Sequence, residues 1–320
     1  MSITLKIGYN KLIMIEISVV IPTYNRREIL GKCLEYLFKQ TYPKDKYEIV
    51  VIDDGSTDAT EEMVKSLRPP CQLRLLHQEP GKKGPACANN LGIKNAKGAY
   101  ILFINSDVYV KQDFIAEHMQ SHHLYRSIIV QGPSINTTDF DNPFQQTKGY
   151  SGYSSIQMGY FITWNVSIKK ELLFKAGLFD EDFRPYSWED IEFGYRLKRL
   201  GIKQKFNKKA LGYHYRPPFT LEELPGIKAK SKIMGKNGVL YYQKHPSLET
   251  KIAVGCWWGM YLFNAIRGFI AKKIIGTNRV LKLYKWLYDH KWEHTLAVLV
   301  GWAGKYWYME EVREANNIVI

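Results

Sequence analysis

Apolar and polar positions in the first half of the chain switch repeatedly between two periods. "EISVVIP" and "YEIVVID" are apolar, β-branched runs of strand length. Between them, "REILGKCLEYLFKQ" sets Ile29, Leu30, Leu34, Leu37 and Phe38 at helical spacing. The pattern then repeats. "DATEEMVKSL" predicts a helix with Asp58 as its cap and Glu61 as the box partner. "CQLRLLHQ" predicts a third strand, "GPACANNLGIKNA" a helix with Pro85 near its first turn, and "AYILFINSD" a fourth strand. Continuous apolar strands separated by helices imply an α/β fold, a largely parallel sheet covered on both faces. Right-handed crossovers bring every strand's carboxyl end to one edge, where such sheets bind ligands.

Three of these strands end in polar residues: "IPTYN", "VIDDGS" and "FINSD". A single Asp-Asp-Gly sequence is explained by a turn with a capping role. Three polar strand ends on one edge are better explained by a site. From 132 to 160 the chain turns irregular and rich in Gly, Tyr, Ser and Asn, as a lid or binding loop would be. "FITWNVSIKKELLFKAGLF" resumes strand then helix, "SWEDIEFGYRLKRLG" predicts a helix closed by Gly201, and "IKQKFN" an edge strand. Past Pro217 and Pro218 the composition shifts to basic, aromatic helices, so a domain boundary is expected there. "MIEISVVIPTYN" begins at Met14, so the preceding residues are expected to be a dispensable N-terminal extension or the product of an upstream start.

Composition narrows the partners. The 320 residues are 45% hydrophobic, as a folded globular chain requires, and carry a net charge of +14 with a pI near 9.4. Such a balance suits an anionic partner: nucleic acid, a phospholipid surface or a phosphorylated small molecule. Cys33, Cys71, Cys87 and Cys256 lie far apart without a C-x-x-C pair. That spacing argues against a disulfide framework or a zinc site, and a reducing cytoplasm is the simplest setting. The first apolar run, "ISVVIP", reads as a strand rather than a secretory signal.

"ISVVIPTYNRREILGKCLEYLFKQTY", "YEIVVIDDGSTDAT" and "GPACANNLGIKNAKGAYILFINSDV" together resemble the donor half of family 2 inverting glycosyltransferases of the GT-A fold. "TWNVSIKKELLFKAGLFDEDFRPYSWEDIEFGYRLKRLG" resembles a galactosyltransferase-type acceptor half. The resemblance implies a catalytic domain over 16–220, with a donor half 16–131 and an acceptor half 132–220. The 1–15 extension precedes it and a helical region, 221–320, follows. It implies an enzyme that moves a sugar from a nucleotide donor, UDP-linked by preference, to a hydroxyl of a glycan or lipid-linked acceptor.

The roles the resemblance implies can be given chemical reasons. Pro22, Thr23, Tyr24 and Asn25 would hold the base. Asp53 would accept its ring N–H, and Asp54 or Asp53 would reach the ribose, because carboxylates are acceptors facing N–H and O–H donors. "FINSD" occupies the place of a metal-binding D-x-D motif, with Asn105 in place of the first acid. Asp107 would then be the carboxylate ligand of Mg²⁺ or Mn²⁺, with Asn105 and Ser106 beside the ribose and phosphates. His214 stands where relatives supply another ligand, and an imidazole favours Mn²⁺; a structural histidine is the alternative. Asn89 stands where relatives carry a phosphate-holding Arg, and Lys82 and Lys83 could supply that charge. In "SWED", Asp190 would be the general base and Glu189 an acceptor ligand. Trp188 would be a platform for a sugar ring, with Trp164 and Asn165 lining the same pocket. Ser187 and Asp190 also read as a helix capping box, the structural alternative.

"IAVGCWWGMYLFNAIRGFIAKKIIG" and "HTLAVLVGWAGKYWYM" are apolar but interrupted by Arg267 and Lys305. They suit helices lying in a membrane interface, on the cytoplasmic face, more than helices crossing it. A bundle packed on the catalytic domain or on a second copy is the alternative, and the oligomeric state stays open. Two other functions compete with the glycosyltransferase. A nucleotidyltransferase would share the nucleotide-binding sheet. A nucleic-acid-binding protein would use the charge but leave the three polar strand ends unexplained, so no nucleic-acid partner is expected.

Overall fold

The computed structural model describes residues 14–145, 160–217, 220–257, 259–264, 278–290 and 292–315. The expected extension therefore lies almost wholly outside the described residues, as do 146–159 of the expected lid and Arg267.

Seven strands form one sheet. In chain order its members are β1 (Ile17–Thr23), β2 (Tyr47–Asp53), β3 (Gln72–His77), β4 (Tyr100–Ile104), β6 (Ile129–Gln131), β8 (Asn165–Lys169) and β9 (Gln204–Phe206). Their spatial order is β3-β2-β1-β4-β8-β6-β9. β3, β2, β1 and β4 run parallel, β8 is antiparallel to both β4 and β6, and β9 closes the sheet as the expected edge strand. A smaller sheet joins β5 (Val108–Val110), β10 (Gly212–Tyr215) and β7 (Ser134–Thr137). β7 falls inside the stretch read as irregular. Strands of three or four residues are too short for alternation to be read along them, so this sheet is invisible to periodicity.

The strands are buried on both faces because each face meets helices. Val19, Ile21, Ile49, Val51, Leu102 and Ile104 point into one cluster, shared with Leu30, Cys33, Leu34 and Leu37 of α1 (Arg27–Phe38). The alternate residues Val20, Val50, Ile52, Ile101 and Phe103 meet the other, with α3 (Pro85–Asn95), α5 (Lys170–Lys175) and α6 (Glu189–Arg199). Gly92 lets α3 press onto β1, since a Cβ there would lie 2.5 Å from Val20 Cγ1. α2 (Thr60–Ser66) starts differently from expectation. Its N-cap is Ala59 in a left-handed conformation, with no side-chain cap. Asp58 instead accepts the backbone N–H of Arg27 at 2.8 Å and the Thr60 hydroxyl, tying two loops together.

α4 (Phe114–Leu124) buries His118 and His122 against β8. Beyond Pro217 come α7 (Leu224–Lys244), α8 (Leu248–Val254), a helix Asn278–Asp289 and a C-terminal helix Glu293–Ala315. A third apolar cluster mixes Phe183 and Trp188 with Val239, Tyr241, Val254, Tyr308, Met309 and Val312. The C-terminal helices thus share a core with the loop that leads into α6.

Candidate active site

Register sets the first part of the site. Thr23 pairs with Asp53, and Asp53 with His77, so the carboxyl ends of β1, β2 and β3 are level. β8 runs the other way, and its first residue, Asn165, pairs with Ile104 at the end of β4. The antiparallel strand therefore delivers Thr163 and Trp164 to the same edge as Asn105, Ser106 and Asp107. This is why residues far apart in the chain converge.

Asp53 is buried and holds its own turn, accepting from Ser56 N at 3.0 Å and Ser56 Oγ at 2.5 Å through Oδ1. Its Oδ2 faces His77 Nδ1 at 3.6 Å. The turn thus uses one carboxylate oxygen, Oδ1. Asp54 accepts Gly84 N–H through Oδ2 at 2.9 Å, and its Oδ1 is buried without a partner. Burial pushes its pKa up, against the pull of the Gly84 N–H. Asn25 takes Thr57 N–H at 2.7 Å and gives its own N–H to Ser56 Oγ at 2.9 Å, so it braces the β1 and β2 loops. Tyr24 is 52% exposed beside that brace.

Asp107 sits between His214 and Arg26. His214 Nε2 lies 3.1 Å from its Oδ1, and the Arg26 guanidinium pairs with its Oδ2. Burial would raise the Asp107 pKa, but contact with His214 and then with Arg26 outweighs it and holds the group at about 2. The three-stranded sheet explains the pairing, because His214 on β10 is in register with Val108 at the start of β5. Trp164 packs edge-on against the His214 ring, with centroids 5.2 Å apart. Asp107 and His214 together offer one oxygen and one nitrogen donor, with the Asn105 amide two residues away, which fits a divalent cation. Among the described residues no group of three or more His, Cys, Asp or Glu gathers. Such an ion would take its remaining ligands from phosphate and water.

Glu189 and Asp190 open α6. Ser187 does not cap it; the N-cap is Trp188, and both residues are left-handed, with φ of 81° and 72°. Asp190 Oδ1 accepts Ile191 N–H at 2.8 Å, and Thr163 N–H also bonds the carboxylate. Through Thr163 and Trp164, Asp190 is thus linked to His214 and Asp107. A second link runs from the other side, since a Cβ on Gly84 would lie 2.5 Å from Pro185 O. Burial raises the pKa of both acids, and the Asp190 charge raises Glu189 further.

Two expected residues are placed elsewhere. Trp188 is 9% exposed, stacks on Tyr241 at 5.5 Å and donates Nε1–H to Met234 O at 2.8 Å. Its indole is buried against α7, so it offers no platform to a sugar. Asn165 is fully buried and its amide is spent, donating to Pro133 O and Ala210 O and accepting from His118. Lys82 is exposed and paired with Glu79 at 3.0 Å. Arg26 was missed by the sequence reading. A signal for it exists: a basic pair in "YNRR" opens α1, where the helix dipole disfavours cations.

Several buried polar atoms on these elements have no partner in the protein. They include Thr23 Oγ1, Asp54 Oδ1, both amide atoms of Asn89, Trp164 Nε1, His214 Nδ1 and Glu189 Oε2. Unpaired buried polar atoms are rare in native structures and call for an explanation. These lie on residues at the strand ends and on the segments that flank them; others, such as His122 Nδ1 and Tyr109 Oη, lie elsewhere.

A parallel sheet in the order 3-2-1-4, extended by an antiparallel strand and carrying acids at its carboxyl edge, is an α/β arrangement of the GT-A type. Residues 18–187 match the family described as Glycosyl transferase family 2, and the chain belongs to that family. The Escherichia coli protein named chondroitin synthase is 27% identical over 281 residues, covering 75% of this chain and 41% of the relative. Validoxylamine A glucosyltransferase of Streptomyces hygroscopicus subsp. jinggangensis is 29% identical over 266 residues, 72% of this chain and 61% of the relative. The chain therefore matches less than two thirds of the length of either. Among solved structures, the mannosyltransferase PcManGT of Pyrobaculum calidifontis, in complex with GDP-Man and Mn²⁺, superposes with a TM-score of 0.62. It is 16% identical, and the match covers 93% of this chain and 87% of that one. Staphylococcus aureus TarS 1–349 with UDP-GlcNAc gives a TM-score of 0.53 at 20% identity, covering 95% and 92%. Both likenesses concern the fold.

Proposed function

We propose that this chain is an inverting glycosyltransferase that uses a nucleotide-sugar donor, a UDP-sugar first among candidates, and a hydroxyl acceptor on a glycan or lipid-linked glycan. The observation that carries the reading is the set of buried, unpaired polar atoms on the elements around the edge. Thr23 and Asp53 take the base, Asp53 through the oxygen that its own turn leaves over. Asp54 and the Asn89 amide face the ribose and diphosphate, with Arg26 as the nearby cation. A divalent cation held by Asp107 and His214 would neutralise charge on the leaving diphosphate.

Asp190 is the general base. As the acceptor oxygen bonds to the anomeric carbon, its proton passes to the Asp190 carboxylate. The bond from that carbon to the phosphate oxygen breaks, the electron pair leaves with the nucleoside diphosphate, and configuration inverts. An upward-shifted carboxylate is a stronger base than an ordinary one, which suits the task. Glu189 Oε2 and Trp164 Nε1 are free to hold acceptor hydroxyls.

The test is a screen of UDP-glucose, UDP-galactose, UDP-N-acetylglucosamine, UDP-N-acetylgalactosamine and GDP-mannose with Mn²⁺, wild type beside Asp190→Asn. The variant should lose about 100-fold or more in turnover while binding UDP normally. Undiminished transfer by the variant removes Asp190 from the role. No turnover, and no thermal stabilisation by any nucleotide, removes the enzyme reading.

The acceptor is lipid-linked or membrane-adjacent in this reading. No helix among the described residues is long and apolar enough to cross a membrane. Residues 221–320 carry 15 Lys and Arg against 8 Asp and Glu. Trp257, Leu262, Trp286 and Trp292 are exposed there, a combination that suits an anionic interface. The protein should float with vesicles containing phosphatidylglycerol and be released by high salt; indifference to anionic lipid refutes this.

A further inference from the structure

The acids of α6 are aimed by a turn that the local sequence does not favour. Ser187 and Trp188 are consecutive non-glycine residues with φ of 81° and 72°, and no side chain caps the helix they introduce. Such backbone persists only where its surroundings over-determine it. The surroundings come from α7, some fifty residues later. Asn237 is buried, and its Nδ2 lies 2.8 Å from Tyr186 O, 3.2 Å from Ser187 O and 3.3 Å from Arg184 O. Trp188 donates to Met234 O one turn earlier on α7 and stacks on Tyr241 one turn later. Gly238 leaves room for that indole, since a Cβ there would lie 3.2 Å from Trp188 Cε2. The Trp188 carbonyl, held in this way, accepts Glu192 N–H at 2.8 Å and starts α6.

We propose that Asn237 is a positioning residue for the transfer reaction: by gathering the carbonyls of Arg184, Tyr186 and Ser187 it locks the left-handed turn that presents Glu189 and Asp190. The inference rests on the reading of those acids as the acceptor-side pair. It makes the C-terminal helices part of the active site rather than an appendage to it. An amide suits the position because its nitrogen supplies two N–H donors to the carbonyls of the turn. Leucine has the same branched skeleton and no donor.

The test compares wild type, Asn237→Leu and Trp188→Phe. The second is the gentler variant, keeping a ring against Tyr241 and losing the bond to Met234 O. Three quantities are measured on full-length protein: kcat and KM for the nucleotide sugar that wild type turns over, UDP affinity with Mn²⁺ by calorimetry, and hydrogen–deuterium exchange of residues 184–191. For a positioning role kcat should fall about 10- to 100-fold, because small misplacements of a catalytic group are costly. UDP affinity should stay within about twofold, since donor binding is not what the turn supports. Amides of 184–191 should exchange faster while those of β1 and β2 do not. A folded Asn237→Leu protein with wild-type kcat and exchange overturns the proposal, as does a UDP affinity that falls in step with kcat. If Asn237→Leu does not fold, the same outcomes are read from Trp188→Phe. If wild type turns over no sugar, the glycosyltransferase reading fails, and the exchange comparison alone decides whether Asn237 holds the turn.

Discussion

Two buried histidines behind the site should work against folding in acid. The hydrogen bonds fix their tautomers. Asn165 Nδ2 donates to two carbonyls, so its Oδ1 must accept from His118 Nε2–H at 3.0 Å. His118 Nδ1 is then an acceptor and takes the Ser167 hydroxyl at 2.8 Å. Ser167 Oγ in turn accepts from His122 Nε2–H at 2.7 Å, which leaves His122 Nδ1 unprotonated and unpartnered. Neither ring can take a second proton without placing a charge in a buried environment. Burial accordingly lowers the pKa of His118 to about 4, while burial and then the neighbouring histidines lower His122 to about 3. Both folded values lie below the ordinary 6.5. The unfolded chain therefore binds more protons, and stability rises with pH. The contribution is complete above 6.5 and is lost as pH falls, at about 1.4 kcal/mol per pH unit per histidine. At pH 5 the loss is about 2 kcal/mol each and about 4 kcal/mol together. Taken alone, for a chain of this length, the histidine term corresponds to a fall in Tm of about 6 °C.

Urea unfolding at pH 7.5, 6 and 5 measures the slope, and His122→Gln isolates one of the two groups. Glu189 and Asp190 act with the opposite sign, since their raised values favour protonation in the folded state. They act equally in wild type and variant, so the difference in slope belongs to His122. The variant should be shallower by about 1.4 kcal/mol per pH unit between pH 6 and 5. Parallel curves would refute the assigned protonation states.

The upward shift of Asp190 also predicts that the acid limb of kcat/KM lies above the ordinary aspartate range of about 4, activity falling as the base is protonated; a pH–rate profile flat down to pH 4.5 contradicts it. In the proposed site Arg26 would compete with a divalent cation for Asp107, so Arg26→Ala should tighten Mn²⁺ binding without nucleotide by about tenfold, or about 1.4 kcal/mol. Electron paramagnetic resonance of free Mn²⁺ reads this directly, and weaker binding in the variant would count against the competition. Asn165→Leu strands two carbonyls and the His118 N–H, and should cost about 3 kcal/mol or more in chemical denaturation. A loss below about 1 kcal/mol would mean that the amide is not the hub described.

Much of the donor side was legible along the chain. The strand–helix alternation, the β9 edge strand, Gly201 past the end of α6 and the three polar strand ends are local properties. They depend on hydrophobic period and turn chemistry, which a sequence writes in order. Asp107 and His214 could be named as partners by resemblance, and the 3.1 Å contact brings them together. What periodicity lacked was the short β5-β10-β7 sheet that makes the contact.

Tertiary structure decided which way side chains face and what they spend their hydrogen bonds on. Trp164 and Asn165 are neighbours in one strand start, yet one faces His214 with a free N–H and the other is consumed in the core. Trp188 looked like a sugar platform and became the contact with α7, because a helix about fifty residues away supplied Met234 O and Tyr241. Capping motifs at Asp58 and Ser187 were outcompeted in the same manner by distant partners and a left-handed backbone. A sequence states which donors and acceptors exist. Only the packed chain, where each buried group can be satisfied once, determines which are left over for a ligand.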